Sequence, residues 1–211
     1  PPEDGRAQTV LGSDHLGSAP CIVCGSTLQL PHYAILARCS QCGFVRAPEG
    51  LDAGEIARLY SEDYFRGQEY GDYLADAELH RANFEKRYAE VLAVSGGVTS
   101  VFEVGCAYGF WLECLSRKGI RCAGVDVCDG AVQYARTQLG QSAFAGDFLE
   151  LPLAVGQYQA YCMWDTIEHL SRPDLFVERI VELLPRGGWF FATTGDIGSR
   201  MARWRGPRWR M

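Results

Sequence analysis

Four places in the middle of the chain carry side chains suited to holding and reacting a nucleotide-like ligand. The apolar run Val101–Val104 contains an acid, Glu103, and then turns through Gly105-x-Ala107-x-Gly109 into an amphipathic segment beginning Phe110-Trp111. That order is a strand, a tight glycine turn and a helix start, which lets backbone approach a ligand closely. About twenty residues on, Asp126 closes Val125-Asp126-Val127, where a carboxylate accepts both hydroxyls of a ribose. Gly146-Asp147-Phe148 follows, placing an acceptor and a ring where an adenine would lie. Glu168-His169 comes after a further apolar run, and an imidazole with a pKa of about 6.5 suits general-base work at neutral pH.

A second group has metal-ligand spacing. Cys21-x-x-Cys24-Gly25 and Cys39-x-x-Cys42-Gly43 are separated by fourteen residues. Two such knuckles can place four thiolates around one Zn²⁺, the glycines allowing the sharp turn after each second sulfur. With all four positions taken by sulfur the metal is structural, because no coordination site stays open for substrate. A redox dithiol would use one such pair, not two. The other five cysteines, Cys106, Cys114, Cys122, Cys128 and Cys162, lie scattered among apolar residues, so nine in all do not form a secreted disulfide framework and a cytoplasmic setting is expected.

These groups need elements to position them. The periodicity predicts strands at 100–104, 121–125, 142–145, 158–164 and 188–193, with helices at 110–118, 129–139 and 173–184. Strand and helix in alternation give an α/β fold, a Rossmann-like doubly wound parallel sheet with ligands at the carboxyl ends of its strands. Upstream, residues 52–92 read as helical with an aromatic cluster of Tyr60, Tyr64, Phe65, Tyr70 and Tyr73. These rings pack a linker onto the core, or one or two of them close over the ligand, where a ring face favours a cation. The expected division is a flexible leader at 1–19, a zinc module at 20–48, a Tyr-rich linker or lid at 49–97, the ligand-binding core at 98–196 and a basic tail at 197–211.

Composition sets the outer bounds. The chain has 211 residues, a net charge of −6 and 47% apolar content, enough for one α/β domain and an appendage. The acidic balance disfavours a nucleic-acid coat, and no apolar run approaches the roughly 20 residues that span a bilayer. A dinucleotide is also disfavoured, since Ala107 and Phe110 stand where G-x-G-x-x-G would need glycines.

Glu103-x-Gly105-x-Ala107-x-Gly109, Asp126, Gly146-Asp147, Trp164-Asp-Thr-Ile-Glu-His-Leu170 and Leu184-Pro-Arg-Gly-Gly188, taken together over residues 98–196, resemble the successive motifs of class I S-adenosylmethionine (SAM)-dependent methyltransferases. With the four cysteines and the tyrosine-rich segment, the layout is similar to zinc-ribbon methyltransferases of sugar, glycan and natural-product pathways. The resemblance implies that Gly105, Cys106, Ala107, Gly109 and Phe110 form the backbone wall of a SAM pocket, with Glu103 reaching the methionine amino group. Asp126 and Val127 would hold the ribose side. Asp147 would take the adenine amino group, Phe148 would add a backbone contact or its ring, and Trp164 would line the methyl end. His169 is then the candidate base, with Glu168 orienting substrate or serving as base itself, or the pair instead caps the following helix.

Further patterns narrow the acceptor. The Asn/Asp-Pro-Pro-Tyr/Phe motif of base amino-methyltransferases and the Pro-Cys of cytosine C5 enzymes do not occur at Met163-Trp-Asp-Thr166. The expected reaction is methyl transfer to oxygen or carbon of a small molecule, such as a sugar, nucleotide-sugar or secondary metabolite. The alternatives are an RNA methyltransferase gripping RNA through its zinc module, or a non-catalytic SAM-binding module. From Arg200 to Met211 there are five arginines and no acid, suited to phosphate or to a solvated helix. Nothing after Thr194 reads as the antiparallel hairpin that ends class I methyltransferases, so a longer protein is expected.

Overall fold

The computed structural model describes residues 20–27, 29–32, 36–46 and 73–206. These divide between two compact units, one drawn from the chain up to Gly50 and from Asp196 onward, the other from Leu51–Gly195. The leader at 1–19 and the linker residues Ile56, Leu59, Tyr60, Tyr64, Phe65 and Tyr70 lie outside the described residues.

The first unit holds a three-stranded antiparallel sheet, β1 (Gln29–His32), β2 (Leu36–Cys39) and β3 (Val45–Arg46), in that order. Strand β2 is described from Leu36, residues 33–35 lying outside the described residues. The two knuckles are built alike. Cys21 O accepts from Gly25 N at 2.8 Å while Cys21 N donates to Ser26 O, and Cys39 O accepts from Gly43 N at 3.0 Å while Cys39 N donates to Phe44 O. Gly25 and Gly43 hold φ of 73° and 78°, the left-handed region that this turn needs. A short helix, α5 (Arg200–Arg205), belongs to the same unit and starts at Ser199, whose hydroxyl accepts from Ala202 N at 3.0 Å.

The second unit is built on a five-stranded sheet. Its strands are β4 (Ser100–Val104), β5 (Arg121–Asp126), β6 (Ala143–Ala145), β7 (Ala160–Trp164) and β8 (Trp189–Thr193). They lie in the order β6-β5-β4-β7-β8, and every neighbouring pair is parallel. The chain therefore runs outward from β4 in one direction and then restarts beside it with β7. That reversal is the switch point where open α/β sheets bind ligands. Four of the five expected strands begin or end within a residue of these bounds, and β7 starts two residues late. Among the described residues no antiparallel strand follows β8.

Strand β4 is buried along its whole length, as a central parallel strand covered on both faces must be. Its residues alternate between two cores. Phe102 and Val104 pack with Tyr161, Met163 and Phe148 against helix α4 (Pro173–Leu183), through Ile180 and Leu183. Val101 faces the other way, into Trp111 and Leu115 of helix α2 (Phe110–Arg117) and Val91 of helix α1 (Ala77–Ser95). Helix α3 (Asp129–Thr137) covers β6 through Val132 and Ala135.

Helix α1 buries only Val91 fully, so apolar burial alone does not hold it. Half-buried Phe84 and Tyr88 add to the packing, and two ion pairs fix its place. Arg81 Nε donates to Glu113 Oε2 of α2 at 2.8 Å, and Lys118 pairs with Glu85 at 2.6 Å. The helix ends at Gly96, whose left-handed φ of 71° lets its N–H reach Leu92 O.

Phe102 touches Phe148, Tyr158 and Tyr161 with ring centroids 5.1–6.1 Å apart and is fully buried. Replacing it with Ala opens a cavity at the centre of this aromatic core. Phe102→Ala is expected to lower stability by about 3–5 kcal/mol in urea unfolding, and a loss under about 1 kcal/mol would mean the core collapses around the gap.

Candidate functional site

Side chains meet where β4 and β5 end. Gly105 N and Cys106 N both donate to Val125 O of β5, at 2.8 and 3.0 Å, and Gly109 N donates to Cys106 O at 2.8 Å. The carboxylate of Asp126 then closes the arrangement. Its Oδ2 accepts from Ala107 N at 2.8 Å and its Oδ1 from Cys128 N at 2.9 Å. The turn therefore spends its N–H groups on its own sheet, not on a ligand phosphate, which agrees with the absence of a dinucleotide fingerprint. Ala107 is held at φ 42°, an uncommon place for a residue with a Cβ, and the Asp126 contact is what offsets the strain.

Close packing leaves no room for side chains at two of the glycines. A Cβ on Gly105 would collide with the Thr166 side chain, and one on Gly109 would lie 2.9 Å from Ala135 Cβ. The glycine turn is thus seated between the segment leaving β7 and helix α3.

Glu103 is the second feature. It is 2% exposed, faces Gly124 on one side and Cys162 on the other, and its Oε2 is buried without a hydrogen-bond partner. Burial pushes its carboxyl well above the ordinary carboxylate range, the Asp126 charge adds to this, and Arg87 opposes it. Burial also raises Asp126, against the N–H donors of Cys128, Ala107 and Val127.

Arg87, on α1, reaches the ends of β7 and β8. Its guanidinium lies 4.7 Å from the Trp164 ring centroid, donates to Thr193 Oγ1 at 2.5 Å and stands 4.0 Å from Asp165 Oδ2. Thr193 Oγ1 also accepts from Asp165 N at 3.1 Å, fixing a turn in which Asp165 has φ 51°. Trp164 packs edge-on to Trp111 at 5.3 Å.

In the other unit the four sulfurs Cys21, Cys24, Cys39 and Cys42 lie within 4.8 Å of one another. Cys21 and Cys42 are 3.6 Å apart and Cys24 and Cys39 3.5 Å. Four sulfurs at about 2.3 Å from one Zn²⁺ in a tetrahedron are roughly 3.8 Å apart, so the donor set fits that ion. The backbone N–H of Cys42, with that of Gln41, holds the Cys39 thiol down to about 6, against the effect of burial. Such N–H donors favour the thiolate that a metal requires.

Residues 102–192 match the family described as Methyltransferase domain. The fold of this region is that of class I methyltransferases. Two curated relatives are each a Ubiquinone biosynthesis O-methyltransferase. That of Thiobacillus denitrificans is 28% identical over 152 residues, covering 68% of this chain and 63% of that protein. That of Bordetella avium is 26% identical over 123 residues, covering 55% and 51%. The chain thus spans about half to under two thirds of these relatives. Two solved structures share the fold. A protein of Pyrococcus horikoshii OT3 matches with a TM-score of 0.52 and 16% identity, over 75% of this chain and 68% of that one. A SAM-dependent methyltransferase of Thermotoga maritima, described as a possible histamine N-methyltransferase, matches with 0.52 and 21%, over 64% and 62%.

Within the methyltransferase domain, the expected residues are placed unequally. Glu103, Gly105, Cys106, Ala107, Gly109, Phe110 and Asp126 come together at the carboxyl ends of β4 and β5, and Val127 beside them is 55% exposed. Cys106 and Phe110 are buried, so they offer only backbone to a ligand. Asp147 is exposed, and its Oδ1 caps a 3₁₀ turn at Phe148–Glu150 by accepting from Leu149 N at 2.9 Å. Of the two parts expected of Phe148, a backbone contact or a ring against adenine, the ring is the one that its placement does not offer. That turn drives the ring, 2% exposed, into the core between Phe102 and Phe176. Glu168 and His169 lie on the half-buried 3₁₀ turn that follows β7, with Glu168 Oε2 buried and lacking a hydrogen-bond partner. Arg87 was not legible as a site residue, because it acts through contacts across the fold and stands in no motif; Thr166 lies inside the motif Trp164–Leu170, but its packing against Gly105 was not legible there.

The Glu103 carboxyl gives a measurable sign. Folded, it keeps a proton at pH values where the unfolded chain, with a pKa of about 4.3, has released it. The folded state then binds more protons, so stability falls as pH rises from the unfolded value toward the folded one. Glu103→Gln should gain on the wild type between pH about 5 and about 8 in urea unfolding without ligand. A constant difference across that range would place the proton elsewhere.

Proposed function

We propose that the chain is a SAM-dependent methyltransferase acting on oxygen or carbon of a small molecule. One observation carries the reading: a buried, unsatisfied carboxylate oxygen at Glu103, with the Arg87 guanidinium close enough to oppose its pKa shift. A buried carboxyl on β4 that can ionise beside an ammonium, and a guanidinium on α1 that reaches the ends of β7 and β8, suit the ammonium and carboxylate of an amino acid, the methionine end of SAM. Asp126 spends one lone pair of each oxygen on the turn and keeps others for ribose hydroxyls. The exposed Val127 gives an apolar face for a base, with the Asp147 carboxylate as its acceptor.

Bound SAM supplies an activated methyl group, so the protein has to position an acceptor and take its proton. His169 is the proposed base, on the turn leaving β7, with Glu168 beside it to orient imidazole or substrate. Trp164 walls the methyl end, its ring fixed by Trp111 and Arg87. Similarity to O-methyltransferases of ubiquinone biosynthesis favours an oxygen nucleophile on a small acceptor, and a sugar or nucleotide-sugar remains within this chemistry. Cys21, Cys24, Cys39 and Cys42 would hold one structural Zn²⁺ with no open position. The proposed division keeps the zinc module at 20–48, a Tyr-rich linker or lid at 49–97 and the SAM-binding core at 98–196. Among the described residues no helix is long and apolar enough to cross a membrane.

Calorimetry with SAM tests the site directly. Wild type should bind, Asp126→Ala should bind at least about tenfold more weakly, and His169→Ala should bind normally while transferring about 10²-fold more slowly to an acceptor from a hydroxylated panel. Unchanged SAM affinity in Asp126→Ala would remove it from the ribose role, and full turnover in His169→Ala would leave the Glu168-His169 pair structural. For the metal, purified protein should carry one zinc per chain by elemental analysis, lost in Cys39→Ser. A metal-free, fully folded wild type would rule the ion out.

A further inference from the structure

We propose that Tyr73 seats the cofactor, its ring forming the outer cover of the glycine turn; this rests on the SAM-binding reading above. The ring stacks on His80 with centroids 3.8 Å apart and planes 20° from parallel. It also lies 5.5 Å from Tyr108 and 5.9 Å from Phe110, again near parallel. Tyr108 and Phe110 flank Gly109 and are 8% and 1% exposed, so Tyr73 and His80, both half-buried, form the layer outside them.

The same cluster contains Ala107 and Cys128, the two residues whose N–H groups hold Asp126. Tyr73 therefore belongs to the packing that surrounds the proposed ribose acceptor. Helix α1 keeps it there. Arg81 bonds to Glu113, and its guanidinium lies 5.0 Å from the Phe110 ring centroid. A ring in this layer meets the adenosyl and sulfonium part of SAM, whose positive charge an aromatic face attracts. His80 does not compete for that face as a cation, since burial lowers its pKa from the ordinary value against the opposing charge of Asp76.

The chemistry required of Tyr73 is a flat ring; the hydroxyl is dispensable. SAM affinity is measured by calorimetry on wild type, Tyr73→Phe and Tyr73→Leu, with a melting curve for each. Tyr73→Phe should bind within about twofold of wild type and Tyr73→Leu about tenfold more weakly. His80→Ala, which removes the ring beneath, should fall between them. Wild-type affinity in Tyr73→Leu overturns the proposal, and so does equal loss in Tyr73→Phe, which would assign the effect to the hydroxyl. A wild type that fails to bind SAM at all sinks the parent reading; wild-type binding with an indifferent Tyr73→Leu sinks only the role of Tyr73.

Discussion

The Asp126 carboxylate, accepting Ala107 N–H with one oxygen and Cys128 N–H with the other, ties the first glycine turn to the end of the neighbouring strand. Hydrogen bonds to a charged acceptor contribute roughly 1.5–3 kcal/mol each, enough to hold Ala107 in a left-handed conformation that costs about 1–2 kcal/mol. Without this brace the turn would have to relax. Gly105 would then shift against Thr166, and Gly109 against Ala135, where the spacing already excludes a Cβ. The conformation of the whole ligand-facing edge thus follows from one side chain at the end of β5.

The glycine turn, the alternation of strands and helices and the cysteine knuckles were legible because each depends on local chemistry. A buried parallel strand must be an apolar run, and β4 announces itself as one with a single acid inside it. The knuckles repeat the same Cys-x-x-Cys-Gly spacing and the same turn. Asp126 was legible as an acid at a strand end, but its use as a brace was not, because one of its donors, Ala107 N–H, comes from the glycine turn after another strand. Arg87 was hidden for a related reason. On α1 it reads as one more polar residue, and its partner Thr193 lies 106 positions away. Phe148 shows the opposite case. The Asp-Phe pair looks like an adenine contact, yet the 3₁₀ turn that Asp147 caps sends the ring inward.

Helix α1 joins these observations. Its sequence gives no strong apolar stripe, so its place against α2 depends on Arg81–Glu113 and Lys118–Glu85, with Phe84 against Trp111 at 5.7 Å. Ion pairs of this exposure are worth modest energies and weaken with salt. The helix that carries Arg87, His80 and, just before it, Tyr73 is therefore fastened more lightly than the strands it covers. A cover held this way can yield to a ligand while the sheet beneath keeps its shape.

Three departures from local rules meet at the ends of β4 and β7: the φ of Ala107, the φ of Asp165 and the unsatisfied oxygen of Glu103. Strained backbone costs on the order of 1–3 kcal/mol per residue, and a buried unpaired acceptor about the same or more. Well-packed proteins concentrate such violations where function requires them. Here the strain and the missing partner fall on one edge of the sheet, at the switch point, while β4 is otherwise packed on both faces. An ammonium group placed against Glu103 would supply the missing hydrogen bond and the opposite charge at once. The cost that the ligand-free fold carries at Glu103 thereby becomes part of the affinity for the ligand, which is why a carboxylate can persist in a strand whose other positions are apolar or small.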